Sequence, residues 1–207
     1  MILCDIGNTN ATFCDNGKIS SMSIKDFKAY KATQNVYFIC VNDELKPHLK
    51  SQIFFIDLEN FFTLDTSYQG LGIDRIASCY SVKNGVVVDA GSAITIDVMQ
   101  NSKHLGGYIL PGISAMLKAY EGISPRLKLP INSQISLDFL PQKTADAISY
   151  GIIKPIITLL NETASDKNVY FTGGDGQFLS RFFKNGVYDR MLAFRSMQNL
   201  IKQKGIK

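Results

Sequence analysis

Short blocks of apolar residues separated by polar turns open the chain, and this alternation predicts a three-stranded meander. The predicted strands are Ile2–Ile6, Ala11–Cys14 and Lys18–Ile24. Asn16-Gly17 is a strong hairpin signal between the second and third of them. The same pattern recurs in the middle of the chain, where Gly85–Val98 predicts a hairpin and His104–Leu110 a third strand. A meander that occurs twice predicts a duplicated fold.

The rest of the chain mixes short apolar runs with segments of helical period. The runs predict strands at Val36–Val41, Ile53–Ile56 and Val169–Phe171. The helical spacing predicts helices over Asp43–Lys50, Gly72–Tyr80, Ile113–Tyr120, Lys143–Glu162 and Phe178–Phe183, and from a Ser196 cap to near Gly205. We expect Pro47 to interrupt the first helix and Leu159 to face inward on the fourth. Both halves of the chain are therefore predicted to mix α and β structure.

Composition and charge exclude several classes of protein. The 207 residues lie between one large domain and two small ones, and the 45% hydrophobic content is enough for a full core. The net charge of +4 is spread along the chain, and no dense basic block indicates binding to nucleic acid or to a membrane surface. No apolar run approaches the ~20 residues of a transmembrane helix, and Met1 leads directly into a strand instead of a signal peptide. We expect a cytoplasmic globular protein.

The cysteines fit the same compartment. Cys4, Cys14, Cys40 and Cys79 lie within apolar strand or helix patterns and have no CxxC spacing. Metal and disulfide interpretations therefore lack support. We expect free, buried thiols, as in a reducing cytoplasm.

Two loops combine a strand end, an aspartate, a glycine and a hydroxyl or amide side chain. They are Asp5-Ile-Gly-Asn-Thr and Asp89-Ala-Gly-Ser. Either loop alone could be an ordinary turn, because turns prefer these residue types. Their recurrence favours a function: if the loops face each other, amides and hydroxyls can bind phosphate oxygens while a carboxylate anchors the counter-cation. The pair therefore predicts a polyphosphate site.

Asp74 lies at the start of a predicted helix, and its sequence context leaves two roles open. It can cap the free amides of the helix, or it can accept a proton from an alcohol while Arg75 stabilises an anion. Thr172-Gly-Gly-Asp at a strand end is either a turn with a helix cap or bare backbone against which a flat base packs, and we favour the second. His48 and His104 are isolated, so we assign them no chemistry.

A set of motifs in fixed order resembles the type III pantothenate kinases. The motifs are Asp5-Ile-Gly-Asn-Thr, Gly72-Ile-Asp-Arg, Asp89-Ala-Gly-Ser-Ala-Ile-Thr-Ile-Asp, Gly106-Gly-Tyr-Ile-Leu-Pro-Gly and Lys143-Thr-Ala-Asp-Ala-Ile. Together these motifs span almost the whole chain, so the full set is far more specific for a family than any single motif. The resemblance implies an α/β fold of two ribonuclease H-like halves, the actin-like ATPase fold, with mixed sheets flanked by helices. The halves would be residues 1–84 and 85–207, with the last helix able to pack back on the first half.

The resemblance also implies an activity, the ATP-dependent phosphorylation of pantothenate to 4′-phosphopantothenate, which begins coenzyme A biosynthesis. Asp74 would be the general base. Pantothenate contacts are implied at Tyr68, Gly72, Ile73, Asp74, Arg75 and Thr144. The family's Tyr-x-x-Pro segment before Gly-x-Asp-Arg is shortened in this chain, at Tyr68. ATP contacts are implied at Asp5, Ile6, Gly7, Asn8, Thr9, Asn10, Ala11, Thr12 and Ser92, the last standing where the family usually has Thr.

Cofactors and assembly follow from the same resemblance. Asp89 would hold a monovalent cation, K⁺ or NH₄⁺, and Asp5 would help to hold Mg²⁺ through the phosphates. A homodimer is implied, with Ile113–Tyr120 and the helix near Thr144 as the candidate interface. Two alternatives stay open: another small-molecule kinase of the same superfamily, and a non-catalytic regulatory protein that keeps the nucleotide-binding fold.

Overall fold

The computed structural model describes residues 1–206, and the chain divides into two compact units. The first unit comprises Met1–Lys83, Met99–Gly106 and Met191–Lys207. The second comprises Asn84–Val98 and Gly107–Arg190. Among the described residues, no helix is both long enough and apolar enough to cross a membrane.

Strands and helices alternate through most of the chain. The strands are β1 (Ile2–Ile6), β2 (Asn10–Asp15), β3 (Lys18–Ser23), β4 (Val36–Cys40), β5 (Phe55–Asp57), β6 (Asp65–Thr66), β7 (Gly85–Ala90), β8 (Ala93–Gln100), β9 (Lys103–Pro111), β10 (Val169–Thr172) and β11 (Gly186–Tyr188). The helices are α1 (Ile24–Phe27), α2 (Lys46–Lys50), α3 (Ile73–Tyr80), α4 (Ile113–Ile123), α5 (Thr144–Ala164), α6 (Gly176–Ser180) and α7 (Leu192–Lys204).

The two units repeat one strand order. In the first unit the order is β3-β2-β1-β4-β5, with β1 antiparallel to β2 and parallel to β4. In the second unit β9, β8, β7, β10 and β11 follow the same order, and β7 is parallel to β10. The short β6 pairs with the first residues of β9, Lys103 and His104, which belong to the first unit. The duplication predicted from the recurring meander is confirmed.

The repeat extends to single backbone hydrogen bonds. Ile24, the residue after β3, donates its N–H over 2.9 Å to the carbonyl of Thr9, which precedes β2. Gly112, the residue after β9, donates over 3.1 Å to the carbonyl of Ser92, which precedes β8. In each unit the end of the third strand thus holds the turn between the first two strands.

Helices cover both faces of the first sheet. Successive strand residues point to opposite faces, so each strand can pack against a different helix on each side. Tyr37 and Ile39 of β4 pack in a cluster with α3 and α7, whereas Val36 and Phe38 pack with Phe27 of α1. Every residue of β4 is buried as a result. This two-sided burial explains why β4 is one uninterrupted apolar run.

The second sheet packs against α5. Val86 and Val88 of β7 share a cluster with the buried face of that helix, which includes Ile148, Ile152, Ile156 and Leu160. The inward position expected for Leu159 is wrong, since that side chain is 37% exposed and Leu160 is fully buried. The apolar stripe keeps a spacing of four residues to the end of the helix, where we expected a step of three.

Other local predictions also need correction. Pro47 does not interrupt its helix: α2 begins at Lys46 and accommodates proline in its first turn, where the missing N–H has no helical partner anyway. Ser196 is not a cap, because α7 begins at Leu192 and the Ser196 hydroxyl donates to Ser81 Oγ over 2.9 Å. The predicted helix Phe178–Phe183 ends at Ser180, and Gly186 begins a strand.

Candidate active site

The loop between β1 and β2 in the first unit is a tight polar turn. Gly7 donates its N–H to the Asn10 carbonyl over 3.0 Å, and a methyl group on Gly7 would lie 3.3 Å from that oxygen. The residues implied in ATP binding differ in exposure: Asn8, Thr9 and Asn10 are exposed, Asp5, Gly7 and Thr12 are half-buried, and Ile6 and Ala11 are buried. The loop therefore offers exposed amide and hydroxyl groups next to a carboxylate, and Ile6 and Ala11 can offer only their backbone.

An open cleft of about 450 Å³ adjoins this loop. It is lined by Asn8, Ile24, Val41, Asn42, Asp43 and Glu44. Val41 donates its N–H to the Ile6 carbonyl over 3.0 Å, and the buried Asn42 accepts from Leu45 N–H with its Oδ1 over 3.1 Å. The first bond fixes the wall of the cleft to the end of β1, and the second orders the wall itself, so the loop and the cleft form one ordered surface.

Cys4 stands directly before Asp5 but offers no reactive thiol. The side chain is fully buried. Burial first, and then the negative charge of Asp5, raise the pKa of the Cys4 thiol well above its ordinary value. Cys4 is therefore protonated at neutral pH, and the candidate functional group at the end of β1 is the carboxylate of Asp5.

The first turn of α3 holds Asp74 in a defined position. Gly72 is the N-cap, and Arg75 N–H donates to Asp74 Oδ1 over 2.8 Å. A methyl group on Gly72 would lie 2.6 Å from that same oxygen, so the carboxylate occupies the space that a larger residue 72 would fill. The positive end of the helix dipole favours a charged carboxylate here. Because Asp74 is half-buried, it keeps a surface for a ligand.

Arg75, which follows Asp74 in the chain, contacts Tyr68. The Arg75 guanidinium lies 4.9 Å from the centroid of the Tyr68 ring, and Nη1 donates to the Tyr68 hydroxyl over 3.3 Å. Arg75 is only 5% exposed, so this cation is held in place along most of its length. Ile73 is buried in the core and can offer only its backbone. The structure thus joins Tyr68, which precedes α3, to Arg75 in the first turn of that helix, seven residues later.

The turn between β7 and β8 organises the second unit. Asp89 is half-buried near the end of β7, and Ser92 is exposed in the turn. Gly91 donates its N–H to the Ala93 carbonyl over 2.9 Å. A methyl group on Gly112 would lie 2.4 Å from the Gly91 carbonyl oxygen and 2.5 Å from that of Ser92. Only a residue without a side chain permits this approach, so Gly112 belongs to the turn structurally.

The predicted base-binding loop contacts the same turn from β10. Asp175 donates its N–H to the Ala90 carbonyl over 2.9 Å. Gly173 has a φ of +81°, and a methyl group there would lie 2.4 Å from the Ala90 carbonyl oxygen and 2.5 Å from Asp89 Oδ1. Tyr188 Oη donates a hydrogen bond to the Gly173 carbonyl over 3.4 Å. The loop Thr172–Asp175 is therefore packed backbone to backbone against the Asp89 turn.

Oxygen donors are the ligands that this turn can offer a cation. No group of three or more His, Cys, Asp or Glu side chains that could hold a metal occurs in residues 1–206. Asp89 Oδ1 and the Ala90 carbonyl oxygen, however, lie close to each other, since both approach the side of Gly173 that a Cβ would occupy. A carboxylate next to backbone carbonyls suits a hard cation such as K⁺. The residues present fit the monovalent cation implied at Asp89.

Thr144 is the exposed first residue of α5. The segment before this helix is bound to its first turns: Asn132 Nδ2 donates to Asp146 Oδ1 over 2.8 Å, and Asn132 N–H donates to the buried Ser149 hydroxyl over 2.8 Å. These bonds fix the irregular chain to the helix N-terminus that carries Thr144. Neither Asn132 nor Ser149 was suggested by the sequence pattern.

Comparison with known structures defines the class first. The crystal structure of the apo pSK41 ParM protein is 12% identical and covers 100% of this chain and 98% of its own, with a TM-score of 0.53. The repeated strand order agrees with this similarity, and the chain has the actin-like ATPase fold.

Sequence comparison then gives the family. The sequence model of the type III pantothenate kinases matches residues 35–166. A type III pantothenate kinase of Campylobacter jejuni strain RM1221 is 57% identical over 203 residues, which is 98% of this chain and 97% of that protein. The chain belongs to the type III pantothenate kinase family. It is also similar to a C. jejuni crystal structure described as a candidate Baf family transcriptional activator, with 54% identity, a TM-score of 0.92 and 99% of each chain covered.

The half-buried carboxyl group of Asp175, next to the Asp89 turn, predicts a pH-dependent stability. Burial raises the pKa of Asp175 above its ordinary 3.8, so the folded state binds the proton more tightly than the unfolded chain does. The charged form therefore costs stability above pH 3.8, and this cost grows until the pH passes the folded-state pKa. We expect Asp175→Asn to raise the urea midpoint at pH 7, with a gain that shrinks toward pH 4. The exposed Asp166→Asn should give no such pH-dependent gain, and a lower midpoint for Asp175→Asn at pH 7 would contradict this account.

Proposed function

We propose that this chain transfers the γ-phosphoryl group of ATP to the 4′-hydroxyl of pantothenate, giving 4′-phosphopantothenate and ADP, the first step of coenzyme A biosynthesis. The observation that carries the proposal is the position of Asp74 in the first turn of α3, next to the Arg75–Tyr68 contact, in a chain of the pantothenate kinase family. Phosphoryl transfer depends mainly on positioning and charge stabilisation, which such a fixed cluster supplies.

Asp74 acts as the general base in this proposal. It accepts the proton of the substrate hydroxyl while the oxygen forms a bond to the γ-phosphorus and the bond between that phosphorus and the β–γ bridging oxygen breaks. Arg75 and Tyr68 bind pantothenate beside it, and Gly72, the Ile73 backbone and Thr144 complete the contacts. A carboxylate held within reach of the substrate hydroxyl can take its proton directly, which is the task of a general base.

The loop from Asp5 to Thr12 binds the phosphates of ATP in the same proposal, and Ser92 is a further ATP contact. Exposed Asn8, Thr9 and Asn10 offer amide and hydroxyl groups for this purpose. Asp5 and the phosphates would hold Mg²⁺, which usually takes one or two carboxylates together with phosphate oxygens and offsets their charge. Asp89 would hold K⁺ or NH₄⁺. The four buried free thiols agree with the cytoplasmic location that we also propose.

A regulatory protein is the second candidate, favoured by the description of the C. jejuni crystal structure as a candidate transcriptional activator. A regulator that keeps the fold would bind nucleotide or a partner without turnover. Release of ADP from ATP, measured with pantothenate, without it, and with a panel of acetate and sugars, separates the candidates. In the presence of ATP, we expect ADP release with pantothenate and not with acetate or the sugars. Equal release of ADP without pantothenate would overturn the proposal.

Asp74→Asn tests the general base. Asparagine keeps an oxygen for the Arg75 N–H, so the first turn of α3 should be preserved. Loss of the base should lower kcat by roughly 10²–10⁴-fold. We expect a melting temperature and ATP affinity close to those of the wild type, measured by calorimetry, and full activity for the exposed Asp166→Asn. Normal turnover by Asp74→Asn would assign Asp74 to the helix terminus alone.

Asp89 predicts a salt-dependent rate. If its carboxylate and the neighbouring carbonyls hold a monovalent cation, initial rates should rise with KCl or NH₄Cl and stay low in NaCl at the same ionic strength. Asp89→Asn removes the charged ligand, so its rate should respond equally to the three salts. Equal rates of the wild type in all three would count against the cation site.

A homodimer is the assembly that we propose, through α4 and the start of α5. Met116, Leu117 and Tyr120 of α4 are only half-buried by their own unit, and Ile123 is 74% exposed. We expect a dimer in sedimentation velocity at micromolar concentration and a shift toward monomer for Ile123→Lys. Val187→Lys, at a 50% exposed position on β11, is the matched control. A monomeric wild type would remove this claim.

A further inference from the structure

His104 is fully buried at the start of β9, and no motif in the sequence assigns it a role. It pairs in register with Thr66 of β6, and its Nδ1 lies 2.7 Å from the Thr66 hydroxyl oxygen. One of these two groups donates a hydrogen bond to the other. Since an unpaired polar atom in the interior costs free energy, this bond holds the imidazole in one orientation.

The Thr66 hydroxyl connects His104 to Tyr68. The same oxygen accepts a hydrogen bond from the Tyr68 backbone N–H over 3.0 Å. The rings of Tyr68 and His104 also contact each other edge to face, with centroids 5.9 Å apart and planes inclined by 61°. His104 therefore contacts Tyr68 twice, through the backbone by way of Thr66 and directly through the ring.

Arg75 holds the same ring through its guanidinium, and its Nη1 bonds the phenol hydroxyl. Tyr68 is thus fixed by a hydroxyl, an imidazole and a guanidinium, while part of its surface stays exposed to a ligand. Arg75 is the next residue after Asp74. The orientation of Tyr68 is therefore linked to the turn that carries the proposed base.

We propose that His104 is a positioning residue for pantothenate, which holds Tyr68 against Arg75 so that the tyrosine forms a fixed wall of the substrate site. The proposal deepens the proposed function and rests on it, because it requires Tyr68 to contact pantothenate. With no exposed surface, His104 acts through Tyr68 and does not touch the substrate. Without this support Tyr68 samples other rotamers, and a displaced contact weakens pantothenate binding while the ATP loop is unaffected.

The test compares variants on the two sides of the bond. His104→Phe keeps a ring but removes the polar atom, and Thr66→Val removes the hydroxyl with little change in volume. His104→Asn restores a polar atom near the position of Nδ1. His48→Phe, at the other histidine of the chain, is the control because His48 is exposed. Steady-state kinetics give KM for pantothenate, KM for ATP and kcat, and thermal unfolding reports the fold.

We expect His104→Phe and Thr66→Val to raise KM for pantothenate about tenfold, the effect of losing one buried hydrogen bond. KM for ATP and kcat should change far less, and His104→Asn should recover part of the loss. A parallel rise of both KM values would make His104 a structural residue and overturn the proposal. An unchanged KM for pantothenate in folded His104→Phe or Thr66→Val would overturn it as well.

Tyr68→Ala separates this failure from a failure of the substrate site. If Tyr68→Ala leaves KM for pantothenate unchanged, Tyr68 does not contact the substrate and that part of the proposed function fails with the inference. If Tyr68→Ala raises KM but the His104 and Thr66 variants do not, only the positioning role fails. Thr66→Val keeps the inference testable should His104→Phe not fold, since Thr66 is only half-buried.

Discussion

Close approach of backbone to backbone at the turn between β7 and β8 is the constraint on which the second unit depends. Gly112 arrives from the end of β9 and Gly173 from the end of β10, and each leaves no room for a methyl group beside the carbonyls of the turn. The helices α4 and α6 begin shortly after these glycines. The turn therefore fixes the starting points of two helices as well as the carboxylate of Asp89.

The first unit meets the same requirement with different residues. Its turn is held by Ile24 N–H on the Thr9 carbonyl, at the position that Gly112 and Ser92 occupy in the second unit. Here the residue after the third strand carries a side chain, and the turn has three residues in place of two, of which Asn8 and Thr9 stay exposed. The duplicated scaffold thus keeps the backbone bond in both units and varies the side chains. The first turn offers exposed amide and hydroxyl groups beside Asp5, and the second offers Asp89 beside backbone carbonyls.

The duplication was predictable because it depends on local signals. Apolar period, the Asn-Gly turn and strand-ending aspartates all act within a few residues, and Asn16 and Gly17 do have the positive φ values that such a turn requires. The long-range contacts were not predictable in this way. Thr66 and His104 are 38 residues apart, and neither lies in a motif that marks a partner. Burial of His104 follows from the pairing of β6 with β9, and β6 is too short to give a period.

Errors in the helices have a similar origin. Ser196 has the right chemistry for a cap, but its hydroxyl donates to Ser81 instead. A tertiary contact therefore overrides the local capping preference. Asp74 is instructive in the opposite sense, since both roles considered for it are compatible with one geometry. Its carboxylate accepts a bond at the helix terminus and keeps an open surface.

The burial of Cys4 beside Asp5 has a consequence for chemical probes of this protein. All four cysteines are buried free thiols, and Cys4, next to the loop between β1 and β2, has a raised pKa, so it is neither accessible nor nucleophilic at neutral pH. Electrophiles that alkylate cysteine would have no accessible thiol to react with at this loop while the chain is folded. A covalent inhibitor of this kinase would have to react with another functional group, and alkylation of its thiols would instead report that the chain has opened.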